Sequence, residues 1–174
     1  MCSDFRPQNL YILSFVAICP EGKITNTPSF FNTSSSPLLA TARAGNVIGG
    51  GDWSEDRLIP DLVRCVSAGQ SLEIRSPNAT RPWQHVLECL SGYLMLGQQL
   101  LEGNPSFAEA WNFGPDREGN RQVNQVLEAL KADWPTIEWA CGNEPQPHEA
   151  QLLQLDSGKS RDKLLWRPVW TFDE

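Results

Sequence analysis

Residues 43–61 read RAGNVIGGGDWSEDRLIPD, and the punctuation of this stretch decides the fold. An apolar run ends in three consecutive glycines, an acid and a tryptophan follow, and a helical pattern resumes at Arg57. A strand that runs into a glycine turn and then a helix is the unit from which α/β proteins are assembled. Gly49-x-Gly51-x-x-Ser54, with Glu73 further on, comes close to a dinucleotide-binding fingerprint, whose glycines let the backbone approach a pyrophosphate at a helix N-terminus. Three residues argue against that use. Ser54 stands where the third glycine is needed for close helix–strand packing, Asp52 would set a negative charge beside the pyrophosphate, and Trp53 is bulky where the chain must stay tight. The residues leave two other readings open, a substrate loop and a glycine turn with no ligand.

Outward from this loop the alternation continues. LLATARAGNVI before it predicts a buried strand, and RLIPDLVRCVSAG after it an amphipathic helix closed by Gly69. SLEIRS is a short strand ahead of the turn PNAT. WQHVLECLSGYLMLGQQLLEG carries the longest helical pattern and again ends in glycine. AEAWNFGPD predicts a strand and turn, and NRQVNQVLEALKADW a helix with Val123, Val126, Leu127 and Leu130 on one face. IEWACG and EAQLLQLD follow as strands, and SGKSRDKLLW as a terminal helix with Ser157 at its N-cap. The class is α/β. Residues 1–36 read differently, apolar and then rich in Thr, Ser, Asn and Pro without a sustained period, so that a poorly ordered leader is expected there and the regular portion spans residues 37–174.

The bulk numbers narrow the function. A chain of 174 residues can bury a core of its own. Its net charge of −7 argues against a nucleic-acid partner, which needs a basic face, but permits an anionic small molecule where a few arginines converge. The five cysteines form no Cys-x-x-Cys pair and read as buried free thiols in a reducing cytoplasm. Only His85 and His148 are available as imidazole ligands, so no metal is expected. Leu10 to Cys19 is apolar but well short of the ~20 residues that cross a membrane. With Asp4 before it and PEGK after it, it makes a poor secretion signal. Trp111, Trp139, Trp166 and Trp170 read as core rather than as base-stacking platforms.

Five blocks in order, RAGNVIGGGDW, RLIPD, NATRPWQHVLECLSGYL, EAWNFGPD and QPHEA, resemble the C-terminal half of the CDP-glucose 4,6-dehydratase family, a branch of the extended short-chain dehydrogenase/reductases. The likeness runs from about Ser29 to the end. Cys89 stands where the family pattern has proline, and Leu165 where it has glycine. The resemblance implies the last strands of a dinucleotide-binding fold plus a small substrate domain, without the NAD-binding core. It implies a cytoplasmic enzyme of deoxysugar synthesis for surface polysaccharide, dimeric at full length, acting on CDP-glucose or a related nucleotide sugar.

For particular residues it implies that Asn46 bonds the diphosphate or sugar, that Arg57 and Leu58 open a helix facing the nucleotide, and that Arg81 lies on the diphosphate. Arginine suits that place because its planar fork makes paired, charge-assisted bonds to phosphate. Glu73 and Arg75 would flank the cytosine, Asn112 would reach ribose or phosphate, and His148 would stand near the nucleotide.

The resemblance also tells what to look for and not find. Family members oxidise the sugar at C4 with a tightly held NAD, eliminate water across C5 and C6, and return the hydride to C6; a tyrosine assisted by a lysine four residues later is the base. Here Tyr11 is followed by Phe15 and Tyr93 by Gly97, and no glycine-rich loop precedes Arg43. Met1 to Pro28 does not resemble the family's catalytic helix, as expected of a frameshift, a wrong start or a recombined gene. No catalytic residue is therefore expected here, and no NAD bound by this chain alone. The expectation is the substrate-binding half of such an enzyme, inactive alone and marginally stable because a strand edge loses its sheet partners. The alternative is a non-catalytic nucleotide-sugar-binding remnant, or a translated fragment without function.

Overall fold

The structure, a computed structural model, describes residues 13–18, 38–142 and 152–174. Its strands are β1 (Leu13–Ile18), β2 (Leu38–Ala44), β3 (Asn46–Ile48), β4 (Leu72–Ile74), β5 (Thr80–His85), β6 (Ala110–Phe113), β7 (Asn120–Gln122) and β8 (Trp139–Cys141). Its helices are α1 (Leu58–Ser67), α2 (Val86–Leu101), α3 (Val123–Asp133) and α4 (Gly158–Lys163). Strands and helices alternate as the sequence pattern predicts, and the class is α/β.

The expected single strand through LLATARAGNVI is two. Gly45 separates β2 from β3, because the chain there passes so close to β5 that an added Cβ would lie 2.3 Å from the Pro82 carbonyl oxygen. This break hands the chain from one sheet to another. β2 lies between β1, antiparallel, and β6, parallel; β3 pairs in parallel with β5, which pairs antiparallel with β7. β4 and β8 form a separate parallel ribbon. The edge of β2 expected to lie open is covered: Leu13 to Ile18 pair with Arg43 to Leu38. The strand predicted at EAQLLQLD is, in its described part, a bridge between Leu152 and Thr80 and nothing longer.

Two cores result. Ala40, Ala42 and Ala44 of β2 and Leu96 and Leu100 of α2 close on Trp111, Phe113 and Trp166. The small alanines leave room for large aromatic rings, with Phe113 and Trp166 meeting edge-on at 5.2 Å. The second core gathers Leu58, Leu62 and Cys65 of α1, Leu72 and Ile74 of β4, Trp83 of β5, and Val126 and Leu127 of α3. Val123 and Leu130 pack against it, so the predicted face of α3 is the buried one. Trp139 is partly buried, whereas Trp170 is exposed and meets the His85 ring edge-on at 4.7 Å. Cys65 and Cys89 are buried as read from their helical positions. Cys89 and Cys141 are free, but Cys65 is disulfide-bonded, which corrects the reading of every cysteine as a free thiol.

The helices stop and start for local reasons. α2 begins at Val86 rather than Trp83, because residues 83–85 complete β5; His85 then caps α2, its Nδ1 accepting the Leu87 N–H at 3.2 Å. Ser157 occupies the N-cap of α4, but its hydroxyl does not cap the helix. It accepts the Gly114 N–H at 2.7 Å, and Ser160 Oγ donates to the Asn112 carbonyl at 2.5 Å. These two hydroxyls fasten α4 to the end of β6.

Candidate functional site

The site builds outward from Gly45. β3 and β5 meet in register with Asn46 beside Trp83. On β5, Arg81 and Trp83 are two residues apart and so project from one face. Arg121 of β7 is the direct partner of Arg81 and joins the same face. One surface of the β3–β5–β7 sheet thus carries Asn46, Arg81, Trp83 and Arg121. Trp83 belongs to the second core and donates its indole N–H to the Arg121 carbonyl at 3.1 Å. Arg81 is half-buried, and one arm of its guanidinium donates to the Thr80 carbonyl at 2.9 Å. Asn46 Oδ1 is buried without a hydrogen-bond partner. A buried amide oxygen left unpaired costs about 1–3 kcal/mol, and this one lies on the sheet face that also carries Arg81.

The glycine loop follows β3. Gly51 takes φ +79°, a backbone shape that only glycine adopts easily, and no atom lies within 4 Å of the position a Cβ would take at Gly50 or Gly51. Asp52 then closes the loop on itself. Its carboxylate accepts the Ser54 N–H at 3.0 Å and pairs with Arg57 at 3.4 Å. Burial opposes its charge, but the bonds from Ser54 and the charges of Arg57 and Arg64 outweigh it and hold the carboxyl below the usual range. Arg64 donates to the carbonyls of Trp53 and Ser54 at 3.1 and 3.0 Å and pairs with Asp61. Burial pushes the Asp61 carboxyl up, with Arg64 pulling the other way. An amide that would meet a pyrophosphate is already held by Asp52, so the loop does not fit the dinucleotide use that its glycines suggest.

The other predicted residues are distributed over the fold. Arg57 is the N-cap of α1, exposed, while the Leu58 side chain lies in the second core, leaving its backbone at the helix start as the part that could face a ligand. Glu73 is exposed on β4 and Arg75 follows that strand, so both lie on or beside the β4–β8 ribbon. Asn112 stands on β6, in the other three-stranded sheet, and its amide donates to the Asp156 carbonyl at 3.0 Å. His148 lies outside the described residues. The register of β3 and β5 thus sets Asn46 and Arg81 on one face of one sheet, while the other described candidates stand on separate elements.

Sequence reasoning missed Arg64, Glu88 and Arg121. The helical spacing of Asp61 and Arg64 was a usable sign of their pairing. Nothing local marks Arg121, which owes its place to strand register. Among the described residues no group of three or more His, Cys, Asp or Glu side chains could hold a metal ion, and no helix is long and apolar enough to cross a membrane.

No protein-family model matches the chain. It is 44% identical over 151 residues to CDP-glucose 4,6-dehydratase of Salmonella typhimurium, a match covering 84% of this chain and 42% of that protein. Its fold is similar to that of dTDP-glucose 4,6-dehydratase from Bacillus anthracis, solved in complex with NAD (TM-score 0.59, 19% identity, 77% of this chain and 40% of the other). It is also similar to UDP-glucuronic acid 4-epimerase from Bacillus cereus, solved with UDP-glucuronic acid and NAD (TM-score 0.61, 16% identity, 76% and 40%). The chain spans less than half the length of each. By sequence the chain is similar to part of a CDP-glucose 4,6-dehydratase, and by fold to part of the sugar-nucleotide dehydratases and epimerases.

Proposed function

We propose that this chain is the nucleotide-sugar-binding portion of a CDP-glucose 4,6-dehydratase, the enzyme class that converts CDP-glucose to CDP-4-keto-6-deoxyglucose for deoxysugar and O-antigen synthesis. The observation that carries the reading is the unpaired, buried Asn46 oxygen on the sheet face that bears Arg81, in a chain 44% identical to such an enzyme. The Arg81 fork holds the diphosphate, and Asn46 accepts a hydroxyl from the sugar or orients the diphosphate. Arg57 and the start of α1 add positive potential at the nucleotide. Glu73 and Arg75 flank the cytosine, Asn112 reaches the ribose or phosphate, and His148 belongs near the nucleotide. At full length the enzyme is a cytoplasmic homodimer.

NAD carries the hydride in members of this class, and the glycine loop of this chain does not suit it, for the reason Asp52 gives. No step of the reaction is therefore assigned to residues here. The chain binds and orients, and turnover requires groups it does not contain, among them a Tyr-x-x-x-Lys pair. That absence favours the second reading, a nucleotide-sugar binder without catalysis, as the behaviour of the isolated chain. Incubation with CDP-glucose and NAD, followed by NMR of the sugar, tests this. Unchanged CDP-glucose is expected, and a 4-keto-6-deoxy product would overturn the assignment of the chemistry to other residues.

A further inference from the structure

Arg81 and Arg121 are direct cross-strand partners in the antiparallel β5–β7 pair. Side chains so placed share a face, with Cβ atoms about 4.5–5.5 Å apart, and like charges there repel. A multivalent anion lying between two such guanidinium groups can accept hydrogen bonds from both.

Arg121 is also held from two further directions. Its carbonyl accepts the Trp83 indole N–H at 3.1 Å, and its guanidinium lies over the Phe172 ring, 5.3 Å from the centroid. Phe172 belongs to the C-terminal segment, and that segment is itself anchored: Glu88 of α2 accepts the N–H groups of Val169 at 3.0 Å and Trp170 at 2.9 Å. Trp170 stacks edge-on against His85, the last residue of β5. The chain of contacts runs from Glu88 through the C-terminal segment to Phe172, and from Phe172 to Arg121.

We infer that Arg121 is a second arginine of the diphosphate site, and that the C-terminal segment is the device that positions it opposite Arg81. The identification of the anion as a nucleotide-sugar diphosphate rests on the function proposed above; the arginine pair itself requires only a pyrophosphate-like group. Two forks across one sheet grip such a group from both sides, which a single arginine cannot do. Arg121 is a binding residue in this account, and Phe172 and Glu88 are positioning residues that act through it.

Calorimetric titration of the full chain with inorganic pyrophosphate and, separately, with CDP-glucose tests the inference. Arg121→Gln keeps an uncharged stem over Phe172 and should weaken pyrophosphate binding at least about tenfold, the loss expected of a charge-assisted fork. Phe172→Leu keeps an apolar side chain while removing the aromatic face, and should weaken binding several-fold. In the double variant the Phe172 effect should vanish, because its only route is through Arg121. Pyrophosphate affinity unchanged in Arg121→Gln, or a Phe172→Leu effect that adds in full to it, would overturn the inference. If Arg81→Gln loses CDP-glucose while Arg121→Gln keeps it, the pair is wrong and the proposed function stands. If the native chain binds pyrophosphate with the predicted Arg121 dependence but not CDP-glucose, the pair stands and the nucleotide-sugar reading falls. Binding of neither ligand would overturn both.

Discussion

The carboxylate of Glu88, buried in the first turn of α2, accepts the backbone N–H of Trp170, 82 residues later in the chain, at 2.9 Å. Its other oxygen accepts the N–H of Val169 at 3.0 Å, so one side chain satisfies two donors of an otherwise irregular segment. Glu88→Gln keeps the shape but offers one acceptor and turns an amide N–H toward a backbone donor. It should lower stability by about 1–3 kcal/mol, and hydrogen exchange at Val169 and Trp170 should accelerate before that of α2. Equal acceleration in both would deny the segment its separate anchor.

Leu165 sits at φ +56° just past α4, a left-handed conformation that costs a residue with a Cβ roughly 1–2 kcal/mol. Glycine is the residue that the family resemblance leads one to expect here, and the exposed leucine side chain gains little. Leu165→Gly should therefore raise the melting temperature by a few degrees, net of the extra freedom glycine gives the unfolded chain. An unchanged or lower melting temperature would mean that the leucine side chain contributes packing not evident from its exposure.

What the sequence made legible divides along the same lines. The α/β class, the helices α1 and α3 and the core faces came from apolar periodicity, which records burial directly. The break at Gly45 did not, because a glycine inside an apolar run is ambiguous until the strand crossing it is known. β5 was read as the start of a helix, since Trp83, Gln84 and His85 also suit the apolar spacing of α2. The pairing of Arg81 with Arg121 was invisible for a deeper reason: register between segments 40 residues apart is a tertiary fact. The roles of Asn46 and Arg81 came from resemblance, and the geometry adds the buried, unpaired oxygen.

Gly45→Ala tests the hand-over between sheets. A methyl group there would press on the backbone carbonyl of Pro82, which cannot rotate away as a side chain would. A loss of about 1–3 kcal/mol is expected from such overpacking, with β3 displaced from β5 and Asn46 with it. Gly50→Ala, with open space at its Cβ, is the control and should leave stability nearly unchanged.

Burial pushes the Cys89 thiol up from 9.0 to about 11. The native state thus prefers the neutral thiol, and the stability this gives is complete below pH 9.0 and is lost as pH rises toward 11. The stability difference between the native chain and Cys89→Ala should shrink by roughly 2–3 kcal/mol across that window. A difference constant with pH would show that the thiol is not shielded. In the same state iodoacetamide should label the exposed Cys141 and spare Cys89.

The central claim is that this chain carries a working nucleotide-sugar site, and a thermal melt of the purified protein with and without excess CDP-glucose tests it most directly. Ligand at about a hundred times its dissociation constant stabilises a folded binder by roughly 2.7 kcal/mol. The account predicts an upward shift of the midpoint that is lost in Arg81→Ala. A cooperative transition that CDP-glucose leaves unmoved would contradict it.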